Sequence, residues 1–141
     1  PAFGLKLTVN FPTGVDSSGV DGEIKGLVTK SFDRLSLHLN AAYEFLNSDT
    51  GAGDERDGRY KVAIGASYPV GAPRYTRTTV LADFFTEQGS RRGEDNVFGV
   101  EVGFRHQLTL RLVLDAGVGT EFAGPAERSR FFVTAGLSVG F

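Results

Sequence analysis

Apolar and polar residues alternate with a period of two along almost the whole chain. This period places successive side chains on opposite faces of a β-strand, and no window of the sequence shows a helical period. The interruptions divide the alternation into eight predicted strands, at 2–11, 23–32, 35–46, 59–69, 75–87, 97–105, 108–120 and 131–141. The pattern therefore predicts an all-β protein.

The connections between these strands are long and short in turn. Those after the odd strands are long and polar, at 12–22, 47–58, 88–96 and 122–130, whereas those after the even strands are tight, at 33–34, 70–74 and 106–107. Long loops at one end and short turns at the other are typical of an up-and-down barrel of the bacterial outer membrane. We therefore expect an eight-stranded antiparallel up-and-down transmembrane β-barrel, with extracellular long loops and both termini in the periplasm.

The two faces of the predicted strands differ in chemistry. One face is aliphatic at mid-strand and aromatic near the strand ends, and the other carries charged residues and glycines. Aromatic rings at both ends of an aliphatic band match the interfacial girdles of a membrane barrel, whereas a soluble core gains nothing from rings at its rims. The rings near the short turns are Phe3, Phe32, Tyr68, Tyr75, Phe104 and Phe141, and those near the long loops are Phe11, Phe45, Tyr60, Phe84, Phe98 and Phe131.

One charged residue falls on the apolar face. Lys30 lies two residues from the short-turn end of the second predicted strand. Either its amine extends to the lipid headgroups, or a β-bulge moves it to the other face. Both alternatives are compatible with a membrane strand.

Composition narrows the function classes. The 141 residues fit a single domain, 1–141, and a net charge of −2 offers no basic face for nucleic acid. The chain has no cysteine, so disulfides and thiol chemistry are excluded. A mean hydropathy of −0.11 does not exclude a membrane barrel, because only alternate residues of such strands face lipid. The acidic loop 48–58 lacks the spacing of an EF-hand, and we expect no metal and no cofactor.

The charged face is expected to point into the barrel. Eight strands enclose an interior just wide enough for side chains, so buried charges there need partners. Hairpin arithmetic puts Glu44 across from Lys61 and Asp83 across from Glu101, with Arg111 diagonal to Glu101. The alternative to pairing is that these groups are solvated in a wet interior. The predicted lumen charge network consists of Lys6, Glu44, Lys61, Asp83, Glu101, Arg111 and Asp115.

Catalysis requires a nucleophile, a base and usually an orienting acid. His38 is the only histidine predicted to point inward, with Ser36 or Thr29 within reach, but no acid partner is apparent. The carboxylates of Asp83 and Glu101 have basic neighbours, which favours ion pairing over an acid dyad. We therefore predict no catalytic residues and no enzymatic activity.

The end of the chain resembles the C-terminal targeting signal of bacterial outer-membrane barrels. In that signal a polar residue, a glycine and alternate hydrophobic residues lead to a terminal aromatic, and Thr134, Gly136, Val139 and Phe141 fill those places. The resemblance implies recognition by the barrel-assembly machinery and insertion into the lipid bilayer of the outer membrane. The third long loop contains Arg91 and Arg92 beside two acidic residues, and these either contact lipopolysaccharide phosphates or keep the loop soluble.

Three further segments carry a family resemblance. The strand and turn LKLTVNFPTG at 5–14, the strand at 37–43 and the strand LVLDAGVG at 112–119 are similar to those of the phenol-degradation meta-pathway transporter-like family of outer-membrane proteins. The resemblance implies a porin-like channel for small hydrophobic or aromatic compounds. A non-conducting membrane protein whose loops bind a partner is the alternative.

Members of that family are generally longer, with more strands, which leaves two arrangements for the first and last strands. If they pair, the lumen is narrow and bulk transport is doubtful. If they do not, other strands or a partner must cover both exposed edges, because lipid does not tolerate unpaired backbone groups.

Overall fold

The computed structural model describes residues 1–11, 20–46, 56–72, 76–89, 91–124 and 130–140. Within these ranges the chain forms strands and contains no helix that could span a membrane. The predicted all-β class and the count of eight strands are confirmed. The strands are β1 (Ala2–Asn10), β2 (Asp21–Phe32), β3 (Leu35–Phe45), β4 (Gly58–Val70), β5 (Thr78–Glu87), β6 (Val97–Thr109), β7 (Leu112–Ala123) and β8 (Phe131–Val139).

The strands form one sheet in the order β1-β2-β3-β4-β5-β6-β7-β8, and every neighbouring pair is antiparallel. This is the predicted up-and-down order. β1 and β8 lie at opposite edges, and within the described part of the chain no contact joins them. Of the two arrangements that the sequence left open, the structure has the one with unpaired edges. Among the described residues the sheet is a curled half-barrel, and its edge strands β1 and β8 each pair on one side only.

The two faces of the sheet have the predicted chemistry. Large apolar side chains project from one face with most of their surface uncovered, as at Leu5 (69%), Ile64 (60%) and Leu137 (61%). The other face carries charged side chains, and those of Glu23 and Glu44 are enclosed, at only 13% exposed. The curl therefore makes the apolar face convex and the polar face concave.

Two glycines allow the tight curl at β6 and β7. Gly103 and Gly117 are direct partners across the two strands on the concave face. A Cβ placed on Gly103 would lie 2.7 Å from the carbonyl oxygen of Ala116 and 3.1 Å from the Cα of Gly117. A Cβ on Gly136 of β8, by contrast, would meet nothing closer than 3.7 Å. Close backbone approach at β6 and β7 therefore depends on the missing side chains.

The predicted turn at His106 and Gln107 is wrong. Both residues belong to β6, where they pair with Leu114 and Val113. The side chain of His106 also contacts the neighbouring strand, because its Nδ1 lies 2.7 Å from the hydroxyl of Thr78 on β5. The chain turns instead at positions 110–111, after a register shift at 107–109.

Lys30 stays on the apolar face. The pairing of β2 with β3 runs without a register shift, and Lys30 is the partner of Leu37. Its Nζ lies 5.0 Å from the centre of the Phe32 ring, in cation–π geometry. The bulge alternative is therefore excluded, and the amine extends toward the short-turn end of the strand.

Aromatic residues of the convex face cluster near the long-loop ends of their strands. The rings of Tyr43 and Phe45 are 5.0 Å apart, and Phe84 contacts both Phe98 (6.2 Å) and Phe122 (6.0 Å). Of the rings assigned to the girdles from the sequence, Tyr75 and Phe141 lie outside the described residues.

Candidate functional site on the concave face

An ion cluster occupies the long-loop end of β3 and β4. Glu44 is the direct partner of Arg59 and forms a salt bridge with it, while Lys61 Nζ lies 3.2 Å from the same carboxylate oxygen. On the neighbouring strand, Lys25 Nζ lies 3.2 Å from Glu23 Oε1. Both lysines of this region are therefore already paired with a carboxylate.

A separate ion pair lies toward the short turns. Arg105 Nε donates to Asp115 Oδ1 at 2.6 Å across β6 and β7. The arginine side chain is 59% exposed and the aspartate side chain 30%. Solvent screens such a pair, so its contribution to stability is below about 1 kcal/mol.

Two carboxylates face each other between these clusters. Asp83 and Glu101 are direct partners across β5 and β6 on the concave face. Glu101 Oε1 accepts a hydrogen bond from the hydroxyl of Thr134 at 2.7 Å. Of the ion pairs formed between described residues, none includes Asp83 or Glu101. The middle of the concave face is therefore acidic.

An aromatic pair lies beside these carboxylates. Phe85 of β5 and Phe132 of β8 project onto the concave face, and their ring centres are 6.0 Å apart in an edge-to-face arrangement. Each ring lies over a glycine: Phe85 over its partner Gly99, and Phe132 over its partner Gly119. A Cβ on either glycine would overlap the ring. The two rings therefore meet above β6 and β7, from opposite sides.

The carboxylates and the rings line a common recess of about 350 Å³. We call it the aromatic–acid recess. Asp83 and Glu101 also border a second recess of about 330 Å³ that extends toward Arg105 and Asp115. The aromatic–acid recess is lined by Phe85, Phe132, Asp83, Glu101, Lys25 and Lys61, among others.

The residues of the predicted charge network do not form a single cluster. Asp83 lies opposite Glu101, as the hairpin arithmetic predicts, but Glu44 lies opposite Arg59, with Lys61 reached diagonally. Asp115 pairs with Arg105. Lys6 is the backbone partner of Lys25, and no described residue forms a salt bridge with it. The structure therefore does not join all seven predicted residues.

Arg111 is misplaced in that prediction. It lies in the turn after β6, whereas the residue paired with Glu101 is Gly119, well along β7. The error follows from the wrong turn position, because moving the turn moves Arg111 out of the strand. Among the described residues no salt bridge links Arg111 to Glu101.

Sequence reasoning missed Phe85, Phe132 and Thr134 as members of this site. The signal that identifies all three is their position in the alternation. Each is next in sequence to a residue of the apolar convex face, so alternation alone puts it on the glycine-bearing concave face. Their proximity to one another has no local signal, because Phe85 and Phe132 belong to strands that are not neighbours.

His38 is the centre of a hydrogen-bonded row of side chains. Its Nδ1 lies 2.9 Å from the hydroxyl of Thr29, and its Nε2 lies 2.8 Å from the hydroxyl of Ser67. A serine thus stands next to a histidine, as a hydrolase would require. The third member is a neutral threonine rather than the carboxylate that orients the histidine of a catalytic triad.

We expect Ser67 to be unreactive toward a fluorophosphonate probe. It lies within β4, between its partners Ser36 and Leu81, where neighbouring backbone N–H groups are used in the sheet rather than free to bind an oxyanion. The measurement compares labelling of the folded protein with that of Ser67→Ala and His38→Ala. Labelling that disappears in both variants would contradict a purely structural role.

A broad depression of about 700 Å³ lies on the convex face. Its floor is formed by small residues on neighbouring strands, among them Ala66 and Ala82, and its walls by larger ones such as Tyr68 and Phe104. Its described lining includes no carboxylate, lysine, arginine or histidine. The depression belongs to the apolar face and contributes no chemistry to the candidate site.

The predicted assembly signal lies on β8. Gly136 and Val139 are the partners of Asp115 and Leu112, and no other described strand pairs with the opposite side of β8. Phe141 lies outside the described residues.

Comparison with known proteins gives one match. A family model described as "Putative MetA-pathway of phenol degradation" matches residues 1–141. Neither a curated protein nor a solved structure matches this chain. The match covers the whole chain, and it agrees with the family resemblance of the three segments at 5–14, 37–43 and 112–119.

Proposed function

We propose that this chain, which belongs to the phenol-degradation family, has a transport-like function in the bacterial outer membrane. In this proposal the concave face lines a narrow path for small hydrophobic or aromatic compounds. The observation that carries it is the inverted polarity of the sheet. Its large apolar side chains point outward and are largely uncovered, while the concave face carries most of the charged side chains, with Glu23 and Glu44 the most enclosed of the ion-paired residues.

The inverted polarity is favourable only in an apolar surrounding. Side chains such as Leu5, Leu7 and Leu137 are more than half exposed, and they form one continuous apolar surface across all eight strands. Soluble monomers rarely expose contiguous apolar patches larger than a few hundred Å², about 300–600 Å² at most. A lipid environment removes this cost, because hydrocarbon chains then cover the convex face.

Membrane insertion also requires partners for the free edges of β1 and β8. Each unsatisfied backbone group in hydrocarbon costs several kcal/mol. The two edge strands run antiparallel to each other, since each of the eight strands reverses the direction of the one before. Further antiparallel strands can therefore be added at either edge. The number added sets the width of the path, because barrel diameter grows with strand number.

The conduction test uses the refolded protein in planar lipid bilayers. We expect discrete conductance steps, and Lys61→Gln shifts the ion selectivity toward cations because it removes a positive charge from the concave face. Arg92→Gln removes the same charge from the connection between β5 and β6, where that side chain is 61% exposed, and it serves as the matched control.

A protein that is folded and inserted but electrically silent contradicts the transport proposal. That outcome favours the alternative, a non-conducting membrane protein whose long loops bind a partner such as lipopolysaccharide. Equal selectivity shifts in both variants would show that the current does not follow the concave face.

We further propose that the barrel-assembly machinery inserts the chain through β8. Gly136 and Val139 lie on a strand whose outer edge is free to pair with another strand. Phe141, two residues after Val139 in the sequence, is the third residue of the proposed signal.

A further inference from the structure

We propose that the broad depression on the convex face, together with Lys30 and Arg34 at its short-turn end, binds an anionic phospholipid. In this arrangement the headgroup phosphate lies at the two cations and one acyl chain lies in the depression. The inference rests on the proposed placement in a bilayer and deepens it by naming one lipid partner. It is independent of what covers the edges of β1 and β8, because the two cations and the floor of the depression lie between those strands.

The depression has the size and the lining of an apolar binding site. Its volume of about 700 Å³ lies within the range for small-molecule sites, roughly 300–1,000 Å³. Ala66 and Ala82 are direct partners on its floor, and the rings of Tyr68 and Phe104 stand beside them toward the short turns. A hydrocarbon chain lying on the two methyl groups contacts the larger side chains on both sides.

Arg34 connects the depression to the short-turn end of the sheet. Its Cζ lies 5.2 Å from the centre of the Tyr68 ring, which lines the depression, and the next residue, Leu35, lines it too. Nη2 donates to the carbonyl oxygens of Pro69 and Gly71, and these bonds hold the guanidinium beside the ring. The N–H groups on Nε and Nη1 take no part in those two bonds, and they can donate to a phosphate oxygen.

Lys30 supplies a second cation on the same face. Lys30, Leu37 and Ala66 are successive partners in one row across β2, β3 and β4. Two strand spacings of about 4.8 Å therefore separate its Cα from the floor of the depression, about 10 Å in all. Its Nζ lies 5.0 Å from the centre of the Phe32 ring, at the end of the strand. The stem of the side chain thus lies on apolar surface while the amine reaches headgroup level.

The charges at this end of the sheet favour an anion. Among the described residues no salt bridge includes Lys30 or Arg34. Asp33 lies next to Arg34 in the turn and brings one negative charge, while Arg77, in the connection before β5, brings a further positive one. The balance of these four groups is positive. A headgroup with a net negative charge is therefore favoured over a zwitterionic headgroup, whose ammonium group the cations repel.

An anionic phospholipid satisfies both features at once. Its phosphodiester oxygens accept charge-assisted hydrogen bonds from Lys30 and Arg34, and its acyl chain fills the depression next to Tyr68. A free phosphate ion would use the cations alone, and a neutral detergent tail would use the depression alone. The combination of charge and apolar volume is what identifies a lipid.

Native mass spectrometry of the full chain, folded in micelles of an uncharged detergent, measures this binding. The probes are phosphatidylglycerol and phosphatidylcholine with identical acyl chains, added at equal concentrations. We expect one phosphatidylglycerol per chain to remain bound, at least about fivefold more tightly than phosphatidylcholine, which is roughly the effect of one Lys or Arg beside an anionic lipid. Equal retention of the two lipids overturns the proposal.

A charge variant tests the headgroup contact. Lys30→Gln is expected to lower the preference for phosphatidylglycerol about fivefold. Lys30 is a better position for this test than Arg34, because Arg34 also binds backbone carbonyl groups at the end of β4. Arg92→Gln removes a positive charge at the long-loop end and is expected to leave the preference unchanged. Equal losses in both variants are evidence that the lipid responds to the charge of the whole chain, which contradicts a site.

A volume variant tests the acyl-chain contact. Ala82→Leu fills the floor of the depression and is expected to weaken the binding of both lipids several-fold, with their ratio unchanged because their acyl chains are identical. Ala66→Leu repeats this test at the partner position. Ala41→Leu adds the same side chain to the convex face of β3 outside the depression, and no change is expected. Unchanged binding in both Ala82→Leu and Ala66→Leu refutes the assignment of the depression, provided that gel mobility shows folded variants.

Failure of this inference is distinguishable from failure of the proposed function. A chain that inserts into lipid vesicles but retains both lipids equally contradicts the lipid site alone. A chain that does not insert into vesicles contradicts the proposed placement in a membrane. Preference for phosphatidylglycerol by an inserted but electrically silent chain supports the lipid site and contradicts transport.

Discussion

Replacing Gly103 by alanine is expected to lower the free energy of unfolding by about 1–3 kcal/mol, the usual cost of overpacking a close contact. The new methyl group would meet the carbonyl oxygen of Ala116 at 2.7 Å and the Cα of Gly117 at 3.1 Å. Both obstacles are backbone atoms of β7, which cannot move aside as a flexible side chain can. The strands must separate, and the curl of the sheet must relax.

Gly136→Ala is the matched control for this prediction. It is also a concave-face glycine within a strand, but its nearest neighbour would be the Cβ of Asp115 at 3.7 Å, an ordinary van der Waals contact. Urea unfolding of the two variants in lipid vesicles or micelles provides the comparison. A loss of the same size in both variants would show that close approach of β6 and β7 is unimportant for stability.

Replacing Glu44 by alanine is expected to cost about 1.5–3 kcal/mol, the range for hydrogen bonds to charged groups. One carboxylate serves both Arg59 and Lys61, and it is the most enclosed member of the cluster, with a side chain only 13% exposed. Its removal leaves two adjacent positive charges on the concave face without their shared partner. The loss should diminish at high salt, to the extent that solvent reaches the cluster.

Asp57→Ala tests whether enclosure causes that loss. Asp57 also pairs with an arginine, Arg92, at 3.3 Å, but the two side chains are 86% and 61% exposed. Exposed pairs contribute about 0–1 kcal/mol, so the expected change is small. Unfolding under the same conditions measures both variants. If Asp57→Ala were as destabilising as Glu44→Ala, enclosure on the concave face would not be the reason for the effect.

The strands and their two faces were predictable because both depend on local information. Alternation with a period of two is written in consecutive residues, and it assigns Leu5, Ile64 and Phe85 to their faces without reference to other strands. Polar and glycine-rich interruptions identified most connections for the same reason.

The turn between β6 and β7 was not predictable in this way. Apolar residues continue through it, and Leu110 is 95% exposed in the turn itself. The polar pair His106 and Gln107 resembles a turn in sequence, but inter-strand pairing with Leu114 and Val113 keeps both residues in the strand. Register is a property of two strands together, which a single stretch of sequence does not carry.

In the candidate site, too, the face of each residue was predictable from local sequence, whereas most contacts between strands were not. Alternation places Asp83, Glu101 and both phenylalanines on one face, and a short hairpin count correctly sets Asp83 opposite Glu101. A shift of two positions, however, makes Arg59 rather than Lys61 the direct partner of Glu44. Contact between Phe85 and Phe132 depends on the curl of four successive strands, β5 to β8, over glycines.

The sequence by itself determined an up-and-down, all-β chain with one apolar and one polar face, because the strand period and the loop lengths are local properties. Only the tertiary structure decided the position of the last short turn, the partners of the charged side chains and the open arrangement of β1 and β8. These features depend on register and curvature, which arise from close contacts between strands such as that of Gly103 with Gly117.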